Sequence, residues 1–403
     1  MIAGLVVIIP FGIAIQNIVT ANCFFILLFY FFKDRTVLLK NLKKTPLILA
    51  GLFLFCHALG TYLNQRETVT ELVKFLFGYA GFLLIPSMFY AYCQNPNISF
   101  SRVFKILNLV LIIWGSLVLS QYLFSWALKG NQVIAYAGRP KGFFSHPLTL
   151  AYSAALFWPF ALNQLILDRK KILNWLAALS IFIIIVTTLS RTIQALAFLV
   201  ATWSFMTLLP RKQKVLALII ASAFAVVTAA TDNPISRKFK ITLNPYDEGK
   251  PKSAEYLDER LAFWHAHWEM IKERPLFGHG INTDTAFRTP YYNKIGLSDY
   301  SRKYEAHNQY IQVATNAGLV GLFLFLAWLG WFYKQSFALV APLKLIFQQT
   351  LTLFVLGGLT QNALHDSEVR FVFCLFAVLL LSSAPLLRRG DDGSLGLYSP
   401  VAR

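Results

Sequence analysis

"HNQYIQVATNAGLVGLFLFLAWLGWFY", residues 307–333, decides how this chain is built. It opens on a histidine and two amides, then runs without a charge from residue 316 to residue 333. A helix needs about 20 apolar residues, at 1.5 Å of rise each, to cross a bilayer. Segments of the same grade recur near 3–18, 19–32, 46–63, 75–92, 106–127, 146–167, 172–189, 192–209, 215–230, 345–364 and 371–387. The chain of 403 residues is 56% hydrophobic and 14% charged, with a mean hydropathy of +0.54. A soluble domain carries about a quarter charged residues. The expectation is an all-α polytopic membrane protein with about twelve transmembrane helices, its first apolar run retained.

Charge sets the orientation, because short loops rich in Lys and Arg stay cytoplasmic. Alternate connections carry Lys33 to Lys44, Arg102/Lys105, Arg169 to Lys171, Arg211 to Lys214, Lys334/Lys344 and Arg388/Arg389, which is 17 of the 37 basic residues. Both termini then face the cytoplasm. The formal charge of +18 is therefore mostly a topology signal, and nucleic acid is not an expected partner. One long segment, 231–315, holds twelve basic and eleven acidic residues and falls on the other face. The chain divides into spans one to nine (1–230), an outer loop domain (231–315), spans ten to twelve (316–390) and a cytoplasmic tail (391–403).

Absences narrow the chemistry. All 19 acidic residues lie outside the apolar cores, which leaves no carboxylate for an intramembrane proton or sodium relay. No DxD sequence occurs, and no metal or other cofactor is expected. Cys23, Cys56, Cys93 and Cys374 form no CxxC or Cys/His cluster and read as structural thiols.

Unaccompanied cations stand where the charge rule makes them rare. The outer loop "KGNQVIAYAGRPKGFFSHP" carries Lys129, Arg139 and Lys141 without an acid, and "TLSRTIQ" puts Arg191 at the outer end of a helix. Arginine at such a place commonly snorkels to headgroups. Repeated on one face, it suits an anionic ligand, since guanidinium matches phosphate in bidentate fashion. Gly138 and Gly142 flank the RPK segment and permit close backbone approach to a ligand.

"EYLDERLAFWHAHWEMIKERPLFGHG" reads as an amphipathic helix from about Ala254 to Lys272, with Arg260, Trp264, His267 and Ile271 on one face. Trp264 and Trp268 fit a helix lying at the membrane surface. His307 opens the tenth span, above Tyr310, Ile311, Ala314 and Gly318, and the small residues Ala314, Gly318 and Gly321 allow a neighbour to pack closely. An imidazole can take a proton at neutral pH, as a general base must. His265, His267, His279 and His365 share that face, and spacing does not rank them. Asp366 and Glu368 either hold an acceptor or pair with Arg370.

His307-Asn308, nine residues, Gly318, two residues and Gly321 resemble the His-Asn-x9-Gly-x-x-Gly motif of the O-antigen ligase family. That family belongs to a superfamily of bacterial membrane glycosyltransferases that also includes O-antigen polymerases. The run from Arg260 through Trp264 to Pro275-Leu276-x-Gly278-x-Gly280 is similar to the superfamily's upstream signature. The resemblance implies a GT-C-like arrangement in the bacterial inner membrane, with 231–315 a periplasmic loop. It implies transfer of undecaprenyl-diphosphate-linked O-antigen to a sugar hydroxyl of lipid A–core oligosaccharide, with inversion and without ATP or metal. His307 takes the catalytic position. Arg260, Arg191 and, by a looser match, Arg139 with Lys141 take the donor diphosphate, and Asn308, Trp264 and Gly318 support them. Arg260→Lys is expected to impair activity more than Arg288→Lys. The alternatives are a polymerase of the same superfamily and a non-catalytic carrier of lipid-linked glycan, for which broken helices in matched halves would speak.

Overall fold

The computed structural model describes residues 46–64, 100–124, 139–215, 246–247, 250–251, 257–281, 285–295, 305–364 and 366–381, and a few positions between 25 and 36. The expected spans near 3–18, 19–32, 75–92 and 215–230 lie almost wholly outside these residues, as do the boundary at 230 and the tail 391–403. Among the described residues the architecture is helical. The helices are α1 (Leu47–Leu63), α2 (Phe100–Phe124), α3 (Pro147–Ala155), α4 (Trp158–Leu167), α5 (Ile172–Thr187), α6 (Arg191–Leu208), α7 (Leu257–Glu273), α8 (Thr285–Lys294), α9 (Gln309–Ser336), α10 (Ala341–Gly357) and α11 (Ser367–Leu381). One two-residue antiparallel ladder, β1 (Tyr246–Asp247) with β2 (Lys250–Pro251), pairs Tyr246 with Pro251 and Asp247 with Lys250.

Among the described residues, three stretches are long and apolar enough to cross a membrane: Ser101–Phe124, Pro147–Leu167 and Gln309–Ser336. Leu47–Leu63, Ile172–Thr187 and Ala341–Gly357 are apolar but shorter. Large apolar side chains point outward on these helices, among them Ile113 of α2, Leu179 of α5, Phe198 of α6 and Phe323 of α9. Such outward faces suit lipid rather than water. The centre belongs to α11, buried from Glu368 to Leu381, with Phe373 stacked on Phe354 of α10 at 4.0 Å between ring centroids. Amides tie the helices where apolar packing alone cannot set register. Asn108 of α2 donates to Gln164 of α4 and Asn174 of α5, and Asn163 of α4 donates to Gln349 of α10, which donates to Ser204 of α6.

Two spans are less regular than their hydropathy predicts. The span expected at 146–167 is two helices, because Pro159 lacks an N–H and the ladder breaks at Leu156–Phe157. The tenth span begins at Gln309 rather than 316 and is broken at Gly318, whose φ of 68° leaves the helix. The break frees backbone groups that apolar surroundings do not tolerate unpaired. The segment after α7 supplies partners for them. His279 and Gly280 N–H donate to the Thr315 and Asn316 carbonyls at 2.9 and 2.8 Å. In return Leu319 and Val320 N–H donate to Pro275 and Leu276 at 2.7 and 3.3 Å. The neighbour that packs closely on Gly318 is a loop, Leu276–Phe277, while Gly321 lies near Cys56 of α1.

Candidate functional site

The loop that carries His307 is held from several sides. Ala306 N–H donates to Gln312 Oε1 at 3.0 Å, and its carbonyl accepts from Trp264 Nε1 of α7 at 3.0 Å. Asn308 is the N-cap of α9, its Oδ1 accepting from the Tyr310 and Ile311 amides. Gln309 N–H donates to Gly358 at 2.7 Å, and its side chain accepts from Leu364 N–H, so the turn after α10 closes over the loop. Between these anchors His307 adopts φ 46°, a left-handed conformation rare without glycine. Fixed neighbours on both sides are what keep such a residue in place. His307 therefore precedes the helix, and the helical stacking expected beneath it does not form. Tyr310 instead donates its hydroxyl to Val355 of α10.

The imidazole sits 5.8 Å from the Phe263 ring, centroid to centroid, and lines a cavity of about 210 Å³. Thr149, Glu305, Gln361, Asn362 and Asp366 share that wall. Thr149 Oγ1 donates to Asp366 at 2.6 Å, Asn362 Nδ2 to Glu305 at 2.8 Å, and Ser145 Oγ to Glu368 at 2.7 Å. Asp366 also caps α11, accepting from the Glu368 and Val369 amides. Arg370 donates to the Leu364 carbonyl. Ser145 N–H also donates to Glu368, and the Arg370 charge acts on Asp366. Burial pushes the Asp366 carboxyl above the usual range, against the pull of Thr149, the two amides and Arg370.

Burial also pushes His307 below the ordinary histidine value. The Arg260 and Arg288 charges add to that shift, and Glu305 opposes it. His146 is lowered likewise, by burial first and then by Arg139, His307 and Lys141. The effect of His307 on His146 links the two loops into one electrostatic neighbourhood: Arg139, Lys141 and His146 on one side, Arg260, Arg288, Glu305 and His307 on the other. Arg139 Nε donates to the Thr188 carbonyl at 2.6 Å, which fastens the first loop to the α5–α6 turn that ends in Arg191. Gln121 of α2 fixes the same loop by accepting from the Lys141 and Gly142 amides at 3.0 and 2.8 Å. Gly142 has φ 57°, a turn conformation that glycine adopts without strain.

The sequence-derived residues fare differently. His307, Arg260, Arg139 and Lys141 share this neighbourhood, and Arg191 adjoins it through the turn. Asn308 is a cap, Trp264 a prop for Ala306, and Gly318 the break in α9. Trp268 is 56% exposed while Trp264 is half-buried, which splits the pair read together as interfacial. The rival histidines have other attachments. His267 bonds Thr315 Oγ1 at 3.0 Å, His279 bonds the Met270 carbonyl at 2.8 Å, and His265 faces Glu269 from an exposed position. His365 lies outside the described residues.

Four residues escaped the sequence reading. His146 reads as a plain N-cap before Pro147, and its Nδ1 does accept from Leu148 N–H at 3.1 Å. Its place in the Arg139 loop was the available signal. Arg288, treated as a comparison cation, is buried and acts on His307. Glu305 and Asn362 reach the site across 57 residues of chain, and no local pattern marks that pairing.

The family model described as O-Antigen ligase matches residues 176–326. That stretch holds Arg191, Arg260, Trp264, His307, Gly318 and Gly321, whereas Arg139 and Lys141 lie before it. No curated protein matches the chain. The match supports the resemblance drawn from the His307 and Arg260 motifs: residues 176–326 of this chain are similar to the O-antigen ligase family.

Proposed function

We propose that this chain is an O-antigen ligase of the bacterial inner membrane, working on the periplasmic face. Its donor would be undecaprenyl-diphosphate-linked glycan, and its acceptor a sugar hydroxyl of lipid A–core oligosaccharide. The family match supports the reaction class. The observation that carries the mechanism is His307: rigidly held, on a cavity wall, and biased toward the neutral imidazole by burial and Arg260.

A neutral imidazole accepts a proton, so His307 removes one from the acceptor hydroxyl as that oxygen attacks the donor's anomeric carbon. The bond from that carbon to the diphosphate breaks on the opposite face, and undecaprenyl diphosphate leaves with the electron pair. Direct displacement inverts the anomeric configuration. Arg260, Arg139, Lys141 and Arg191 meet the charge that builds on the leaving group. The activated donor supplies the driving force, so the step calls for no ATP and no metal.

The test is transfer by purified protein in liposomes given lipid-linked glycan and lipid A–core. Glycan on the core, lost in His307→Ala and reduced in Arg260→Lys, supports the ligase. Lengthening of glycan on the carrier would make the chain a polymerase, and translocation without bond formation a carrier.

A further inference from the structure

The cavity beside His307 has a chemistry that the diphosphate does not explain. Among the described residues no arginine or lysine lines it, while two acids, Glu305 and Asp366, do. Carboxylates repel a diphosphate but accept hydrogen bonds from sugar hydroxyls. Asn362 is 9% exposed and spends its Nδ2 on Glu305, yet its Oδ1 has no donor among the described residues. A buried acceptor without a donor costs free energy, which a ligand hydroxyl recovers. Thr149 and Gln361 add further polar lining. The volume, about 210 Å³, equals about seven waters at roughly 30 Å³ each, enough for one sugar ring.

Resting on the glycosyl-transfer reading above, we infer that this cavity is the acceptor subsite. It seats one uncharged sugar ring against Glu305, Asn362 and Asp366, with the attacking hydroxyl turned to His307. Donor and acceptor then occupy separate surfaces, cationic for the diphosphate and acidic for the sugar, and His307 stands at their border.

Steady-state transfer by the full-length protein tests this, varying lipid A–core at saturating lipid-linked glycan and then the reverse. Asn362→Ala and Glu305→Gln should each raise the acceptor KM about tenfold, the loss of one hydrogen bond in the range seen for charged partners, and leave the donor KM unchanged. Arg260→Lys should do the opposite. A rise in donor KM for the cavity variants, or a fall in kcat with neither KM moved, would overturn the subsite. Asn362→Leu, near-isosteric but without the Oδ1 acceptor, covers the case in which Asn362→Ala does not fold, and should weaken acceptor binding in the same way. If the wild-type chain transfers nothing, the reading of function fails first. Calorimetric binding of deacylated core oligosaccharide to wild type and Asn362→Leu then decides the cavity by itself: weaker binding to the variant upholds it, equal or absent binding ends it.

Discussion

Gly278 and Gly318 lie backbone against backbone: a Cβ on Gly278 would stand 2.6 Å from Gly318 N. Both have left-handed φ, 65° and 68°. A side chain at either meets strain and overlap together, and backbone cannot swing aside as a side-chain tip can. Gly278→Ala or Gly318→Ala should each cost at least ~2 kcal/mol, combining both penalties. Gly51 and Gly330, helical with open space around them, are the controls and should tolerate alanine. Thermal unfolding in detergent, followed by size exclusion, separates the two pairs.

The cap at Asn308 should be measurable by itself. Asn308→Ala removes the acceptor for the Tyr310 and Ile311 amides and should destabilise the chain by ~1 kcal/mol. Asn308→Asp retains an oxygen in the same place and should restore the melting temperature. Because His307 is the adjacent residue, the alanine variant should also lose turnover at saturating substrates.

The acid limb of the pH–rate profile should report His307. Its value is lowered by burial, then by Arg260 and Arg288 against Glu305, so turnover should fall at a midpoint below 6.5. Arg260→Gln removes a positive charge and should move that midpoint up; Arg288→Gln should move it up by less. Glu305→Gln removes the opposing charge and should move it down. Stability follows the same sign: the contribution of neutral His307 is complete above 6.5 and is lost as pH falls below that. A limb that ignores all three substitutions would remove His307 from the base role.

A separate acid sensitivity belongs to the α7–α8 clip. Glu269 accepts from Lys272 and, at 2.9 Å, from Lys294, and these hydrogen bonds lower its pKa from 4.5 to about 2. The stability it contributes is complete above 4.5 and disappears as pH falls toward 2. Wild type should therefore lose melting temperature across that window. Glu269→Gln should start lower and change less, with transfer at neutral pH retained.

Much of the scaffold is readable from hydropathy because a bilayer constrains each span locally, residue by residue. The stretches at 147–167, 172–187, 191–208 and 341–357 fall where their apolar runs predict. The face of Arg260, Trp264, His267 and Ile271 was legible for a similar reason, since a 3.6-residue period needs only neighbouring sequence. Spacing also singled out His307, through a motif with Asn308, Gly318 and Gly321.

What sequence by itself determined, then, is the run of apolar helices, their alternating charge and the motif residues at their ends. Tertiary structure alone decided the left-handed His307, the exchange of hydrogen bonds around Gly318 and the acid-lined cavity. Each of these joins segments far apart in the chain, such as Thr149 with Asp366 across 217 residues. Helix periodicity fixes what lies within a few residues; long-range packing, and the need to pair every buried polar group, fixes the rest.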